Sequence, residues 1–133
     1  MQTSHWLDII NFGLLVLIWL VQLIIYPSLA YIDKKKFSGW HRAYVIKITC
    51  IVTPLILLQM LLVLRVLFLD PSPVHFFMFA CLVIIWVSSF SLSVPCHKKL
   101  QDNGKDDIVI DRLVRTNWIR TALWTAVFFS GIL

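Results

Sequence analysis

Four long apolar runs separated by short polar breaks organise this chain from one end to the other. The first covers about 6–26 and stops at Pro27, which lacks the N–H that a helix ladder needs. The second covers about 44–69. It opens near Trp40 or Tyr44, after Asp33-Lys34-Lys35-Lys36, and closes at the turn Asp70-Pro71-Ser72-Pro73. The third covers about 74–94 and ends at Pro95, followed by a hydrophilic stretch over 96–111 with the turn signal Asn103-Gly104. The fourth covers about 113–133.

Each run is near the roughly 20 residues that carry a helix across the hydrocarbon layer at about 1.5 Å per residue. Open strands would leave backbone groups unpaired in lipid, so the runs predict helices. Short connections make sequential helices antiparallel neighbours. The expected fold is therefore all-α: an integral membrane four-helix up-and-down bundle using 1–133 as one transmembrane domain. The first run reads as a mature helix. No Lys or Arg precedes it, and Tyr26-Pro27-Ser28-Leu29 makes a poor signal-peptide cleavage site.

Composition supports this picture. The chain is 59% hydrophobic and 14% charged, where soluble domains carry about 25% charged residues. Charge adds an orientation. Lys34, Lys35, Lys36, Arg42 and Lys47 gather at the first connection, and Lys98, Lys99, Lys105, Arg112, Arg115 and Arg120 at the third. Only Arg65 lies towards the other face. The positive-inside rule puts loops one and three in the cytoplasm and both termini outside, with a bacterial inner membrane as the expected location. The net charge of +5 then reflects topology and attraction to membrane lipids with anionic headgroups. It implies no nucleic-acid partner. Cys50, Cys81 and Cys96 are too scattered to suggest a disulfide framework.

Polar groups inside spans are costly and turn towards protein or water. Asp8, Asn11, Gln22 and Tyr26 share one face of the first helix with Leu15 and Trp19. His41, Tyr44, Ile48, Val52, Leu55 and Gln59 share one face of the second, where Pro54 should loosen or kink the helix. Ser89 and Ser93 read as packing residues on the third. Asn117, Arg120, Thr121 and Trp124 recur at helical spacing on the fourth.

Arg120 is the sharpest of these. It lies several residues inside the cytoplasmic edge, with no acidic residue at matching depth. It either snorkels out to the headgroups or faces inward, towards Gln22, Tyr26, His41 or an anionic or carbonyl-bearing ligand. The candidate ligand-binding set is Gln22, Tyr26, His41, Asn117 and Arg120. His41 and His97, with Cys96, could instead hold a metal or haem from two helices. His5 and His75 read as incidental. Among nucleophile, phosphate-loop and Cys-x2-Cys signatures none is present.

Two segments carry a resemblance. The segment IYPSLAYIDKKKFSGWHRAYVIKITCIVTPLILL is similar to the first half of small four-helix membrane proteins of the anthrone-oxygenase-like family. The segments VPCHKKLQDNG and DRLVRTNWIRTALW resemble its second half. The matching positions are Pro27, Leu29, Phe37, Pro54, Pro95, Leu100, Asn117, Arg120 and Thr121. The resemblance implies a four-helix fold and oxygenation of polycyclic phenolic substrates. His41 and His97 depart from the family pattern.

Two functions follow as expectations. The first is a membrane protein that binds a lipid-like or hydrophobic aromatic ligand in a cavity near the cytoplasmic side. A transport role for so small a bundle would require a homo-oligomer. The second is a membrane oxidoreductase, oxygenase-like or haem-dependent, acting on an aromatic or quinone-like substrate. There His41 or Tyr26 would move a proton.

Overall fold

A computed structural model describes the backbone from residue 2 to residue 133 and side chains from residue 4. Among the described residues there are four helices and no strands. Helix one combines an α-helix over Gln2–Leu20, a wide π turn over Val21–Ile25, Tyr26–Ser28, and a tight 3-10 turn over Leu29–Tyr31. Helix two is Lys34–Leu69. Helix three combines Pro73–Ser88, a second π turn over Ser89–Ser93, and Val94–Asn103. Helix four is Asp107–Ile132. Each packs beside its neighbours in sequence, and helix four closes the ring against helix one.

Three of the four helices are long and apolar enough to cross a membrane. Helix four has the length, with 26 residues, but carries Arg112, Arg115, Asn117, Arg120 and Thr121. Asn117 and Thr121 turn inward and are fully buried, whereas Arg112 and Arg115, near the start of the helix, are exposed. A helix that donates polar groups to a bundle core keeps its lipid-facing side apolar.

The helices run past the expected spans, for one local reason. Proline has no N–H, and its ring clashes with the carbonyl four residues back. At Pro27 that carbonyl belongs to Leu23, and at Pro95 to Ser91. Both lie inside the π turns, where Tyr26 and Val94 bond back five residues to Val21 and Ser89. The wider turn absorbs the proline, and the helix continues to Tyr31 in one case and Asn103 in the other. Pro54 lies within a helix that is α-helical from Lys34 to Leu69.

Connections are correspondingly short. Asp33 caps helix two by accepting from the Lys35 N–H at 2.8 Å. Asp106 caps helix four by accepting from the Ile108 N–H at 2.9 Å. Gly104 ends helix three with a φ of 81°, a conformation that side chains with a Cβ disfavour. The stretch expected to be a loop over 96–111 is thus helical up to Asn103 and again from Asp107. The Lys105 ammonium donates to the carbonyls of Ala30 at 2.6 Å and Ile32 at 3.0 Å, tying the end of helix one to this turn.

Candidate functional site

The inward polar residues collect in two layers. The deeper one joins three helices: Gln59 donates to Asn11 at 2.8 Å, and Trp124 Nε1 donates to the Gln59 carbonyl at 3.1 Å. Gln59 and Asn11 are buried, as expected of polar groups that lipid would not satisfy. The second layer lies towards the basic end of the bundle and is much larger.

Gln22, Tyr26, His41, Asn117 and Arg120 all belong to that second layer. Asn117 donates to Gln22 Oε1 at 2.8 Å, and Thr121 donates to the same oxygen at 3.0 Å. Gln22 in turn donates to the Val114 carbonyl at 3.1 Å. Arg120 donates through Nη2 to Asn117 Oδ1 and, at 3.2 Å, to the Tyr26 hydroxyl; Nη1 reaches Ser89 at 3.4 Å. Arg120 therefore faces inward, and the snorkelling alternative is overturned. The cause is geometric: the π turn puts Ser89 opposite it, and Tyr26 and Asn117 supply the acceptors.

The two histidines extend this layer towards the bundle end. The Tyr26 hydroxyl meets His97 Nε2 at 3.1 Å, His97 Nδ1 meets His41 Nε2 at 3.0 Å, and His41 Nδ1 meets Gln101 Oε1 at 3.2 Å. The proton positions follow. Gln101 Oε1 only accepts, so His41 Nδ1 donates and its Nε2 must accept. His97 Nδ1 then donates to His41, leaving its Nε2 to accept from Tyr26. Arg120 has no acceptor, so it donates to the Tyr26 oxygen. With Gln101 Oε1 as the acceptor and both rings in their neutral form, every donor from Arg120 to Gln101 points the same way.

Burial is deepest at two links of this chain, Tyr26 and His41. His41 is fully buried and stacks on Phe37, with ring centroids 5.5 Å apart and 12° between planes. Tyr26 is buried as well, whereas Arg120, His97 and Gln101 are half-buried. Arg120 Nε has no hydrogen-bond partner although its atom is buried. Among the described residues no carboxylate pairs with this guanidinium; the ion pairs are His75 with Asp70 and Arg115 with Asp111.

Helix two covers the Arg120 level loosely. It buries Phe37 and His41 near one end and Gln59, Val63 and Val66 near the other, but no residue from Arg42 to Leu58. Over the same depth helix one buries Leu14, Ile18, Val21 and Gln22, and helix four buries Asn117, Thr121 and Trp124. Tyr44, Ile48, Val52 and Leu55 on helix two are only half-buried there. Over this depth helix two is therefore packed less closely into the bundle than helices one and four.

Several residues play parts that sequence patterns did not assign. His97 is a link in the hydrogen-bonded chain, and Gln101 is its terminus. Cys96 does not join the histidines; it is buried in an apolar cluster with Val21, Leu29, Phe37 and Leu100. Among the described residues no three His, Cys, Asp or Glu side chains come together as a metal site. Lys47 is exposed. His75 is structural: its Nδ1 lies 2.6 Å from the Asp70 carbonyl and 2.9 Å from the Ser72 hydroxyl, within the turn before helix three.

Comparison with protein-family models, with curated proteins and with solved structures finds no match for this chain. Its own residues carry the functional reading.

Proposed function

We propose that this is an integral membrane protein, with its basic end in the cytoplasm, that binds an amphipathic ligand having an acidic or carbonyl-bearing head and an apolar body. The observation behind this reading is Arg120: a guanidinium turned into the bundle with no carboxylate partner and an unpartnered Nε. Arg120 is half-buried, and a guanidinium partly withdrawn from water without an opposite charge keeps part of its desolvation cost uncompensated. An anionic head held by the planar guanidinium fork would offset that cost. The half-buried apolar face of helix two over Ile48, Val52 and Leu55 suits the apolar body.

Native mass spectrometry of the protein extracted from membranes in mild detergent tests the proposal. The expected result is an added mass of a lipid-like acid or carbonyl compound on the wild type, lost from Arg120→Gln at equal helicity. A wild type without any such adduct, or an Arg120→Gln variant that keeps it, contradicts the proposal.

The oxidoreductase alternative draws on the Tyr26–His97–His41 chain, whose groups can pass protons to or from a bound aromatic or quinone-like substrate. The absorption spectrum of the purified protein separates the two readings. A haem or flavin band favours the oxidoreductase; a colourless protein carrying a lipid-like acid favours the binder.

A further inference from the structure

We infer that Tyr26, His97 and His41 form a proton path between a ligand at Arg120 and water beyond Gln101, so that the ligand is a weak acid taken up neutral and held as its anion. This inference rests on Arg120 being the ligand site.

The direction of the hydrogen bonds is the first support. From the Tyr26 hydroxyl through His97 to His41 Nδ1, each group gives a proton at one atom and accepts one at another. A histidine kept for structure alone commonly fixes one ring nitrogen on a backbone carbonyl or a carboxylate, which locks its tautomer. Here neither ring does so. The bonds of His97 run to Tyr26 and His41, and those of His41 to His97 and the neutral Gln101 amide.

The second support is enclosure. Tyr26 is buried in the cluster of Leu29, Phe37 and Leu100, His41 is buried against Phe37, and His97 between them is half-buried. Both ends are half-buried as well: Arg120, and Gln101 in the last turn before Gly104.

The third is charge. Helix one presents Tyr26 to this path, helix two His41 and Tyr44, helix three His97, Ser89 and Gln101, and helix four Arg120. Among the described residues no carboxylate is bonded to it, so nothing holds an imidazolium in place. Among the described residues the charged side chain hydrogen-bonded to the path is Arg120, at the inner end. It attracts the anion and repels the proton, and both effects drive the proton outward.

The step balances without redox change. The O–H bond of the bound acid breaks and its proton passes to the Tyr26 oxygen. The former Tyr26 proton passes to His97 Nε2, the His97 Nδ1 proton to His41 Nε2, and the His41 Nδ1 proton to water as Gln101 swings aside. The ligand anion remains paired with Arg120. Release of the ligand as the neutral acid runs the same transfers backwards and restores both tautomers.

The test uses the full chain in detergent micelles and an alkylated 4-nitrophenol, colourless as the acid and yellow as the anion. It is mixed at mildly acidic pH, where the free probe is mainly the acid. Stopped-flow absorbance follows ionisation, and equilibrium titration gives affinity. The expected result is that bound probe turns yellow on the wild type. With the probe at saturation, so that any change in affinity drops out, His41→Gln, His97→Gln and Tyr26→Phe should ionise the bound probe at least about tenfold more slowly than wild type. Tyr26→Phe keeps the ring shape and covers the case in which a histidine variant fails to fold. Unchanged ionisation rates in folded variants, or probe bound without ionisation, overturn the proton path and leave the Arg120 site standing. No binding to the wild type overturns both.

Discussion

His41 Nε2 and His97 Nδ1 stand 3.0 Å apart, joining helix two to helix three inside the basic half of the bundle. Their rings lie nearly parallel, with centroids at 5.3 Å and 27° between planes. A ring-to-ring hydrogen bond of this kind requires one neutral acceptor nitrogen, so it sets the tautomers on both sides of it. It also requires helix three to remain helical past Pro95, and the π turn makes that so.

The π turns yield a register prediction. A π turn amounts to one extra residue in an α-helix. Deleting Ser91 while changing Pro95→Ala should therefore restore a regular helix without rotating His97 away from His41. Deleting Val83 from the regular part would turn everything beyond it by about 100°. Thermal melting in detergent should separate the two: the first variant stays near wild type, and the second melts far lower. Equal damage from both deletions would contradict the register argument.

Asn117 is the hub between Arg120 and Gln22, and it is fully buried. Replacing it by Ala removes one of the two donors to Gln22 Oε1 and an acceptor from Arg120. The expected loss is about 1–3 kcal/mol, measured by unfolding in a graded sodium dodecyl sulfate mixture with tryptophan fluorescence as the signal. Thr116→Ala, one position away on the same helix, should lose under about 0.5 kcal/mol.

Lys105 holds the frayed end of helix one through two carbonyls. Lys105→Ala should cost roughly 1 kcal/mol and speed amide hydrogen exchange over 29–32. Protection around His41 should be unaffected. Exchange at wild-type rates over 29–32 would show that the ammonium contributes nothing to that end.

The bundle itself was legible because four apolar runs of spanning length leave little choice of fold. Helix ends were not, because a proline reads as a stop unless a wider turn precedes it; nothing in Val21–Ile25 or Ser89–Ser93 announces one. Spacing read the inward face of helix four and the Asn11, Gln22 and Tyr26 positions of helix one, and Gln22, Tyr26, Asn117 and Arg120 do meet. Between Asn11 and Gln22, however, Leu14 and Ile18 are buried and Trp19 is exposed, in place of the expected Leu15 and Trp19. Gln101 escaped notice because it fell in an expected loop. A signal was present there: Cys96 and Leu100, four apart and both buried, mark helical periodicity continuing past Pro95. The His41–His97 contact depends on the offset introduced by the π turn, which residue spacing alone does not express.

Nitrogen-15 resonances of the two imidazoles in the folded protein test the directed network most directly. The account predicts that His41 and His97 are both neutral and both protonated on Nδ1, as the chain from Arg120 through Tyr26 to Gln101 demands. Tyr26→Phe should change the His97 Nε2 shift more than that of His41. Protonation on Nε2 in either ring, or rings whose shifts ignore the loss of the Tyr26 hydroxyl, would contradict it.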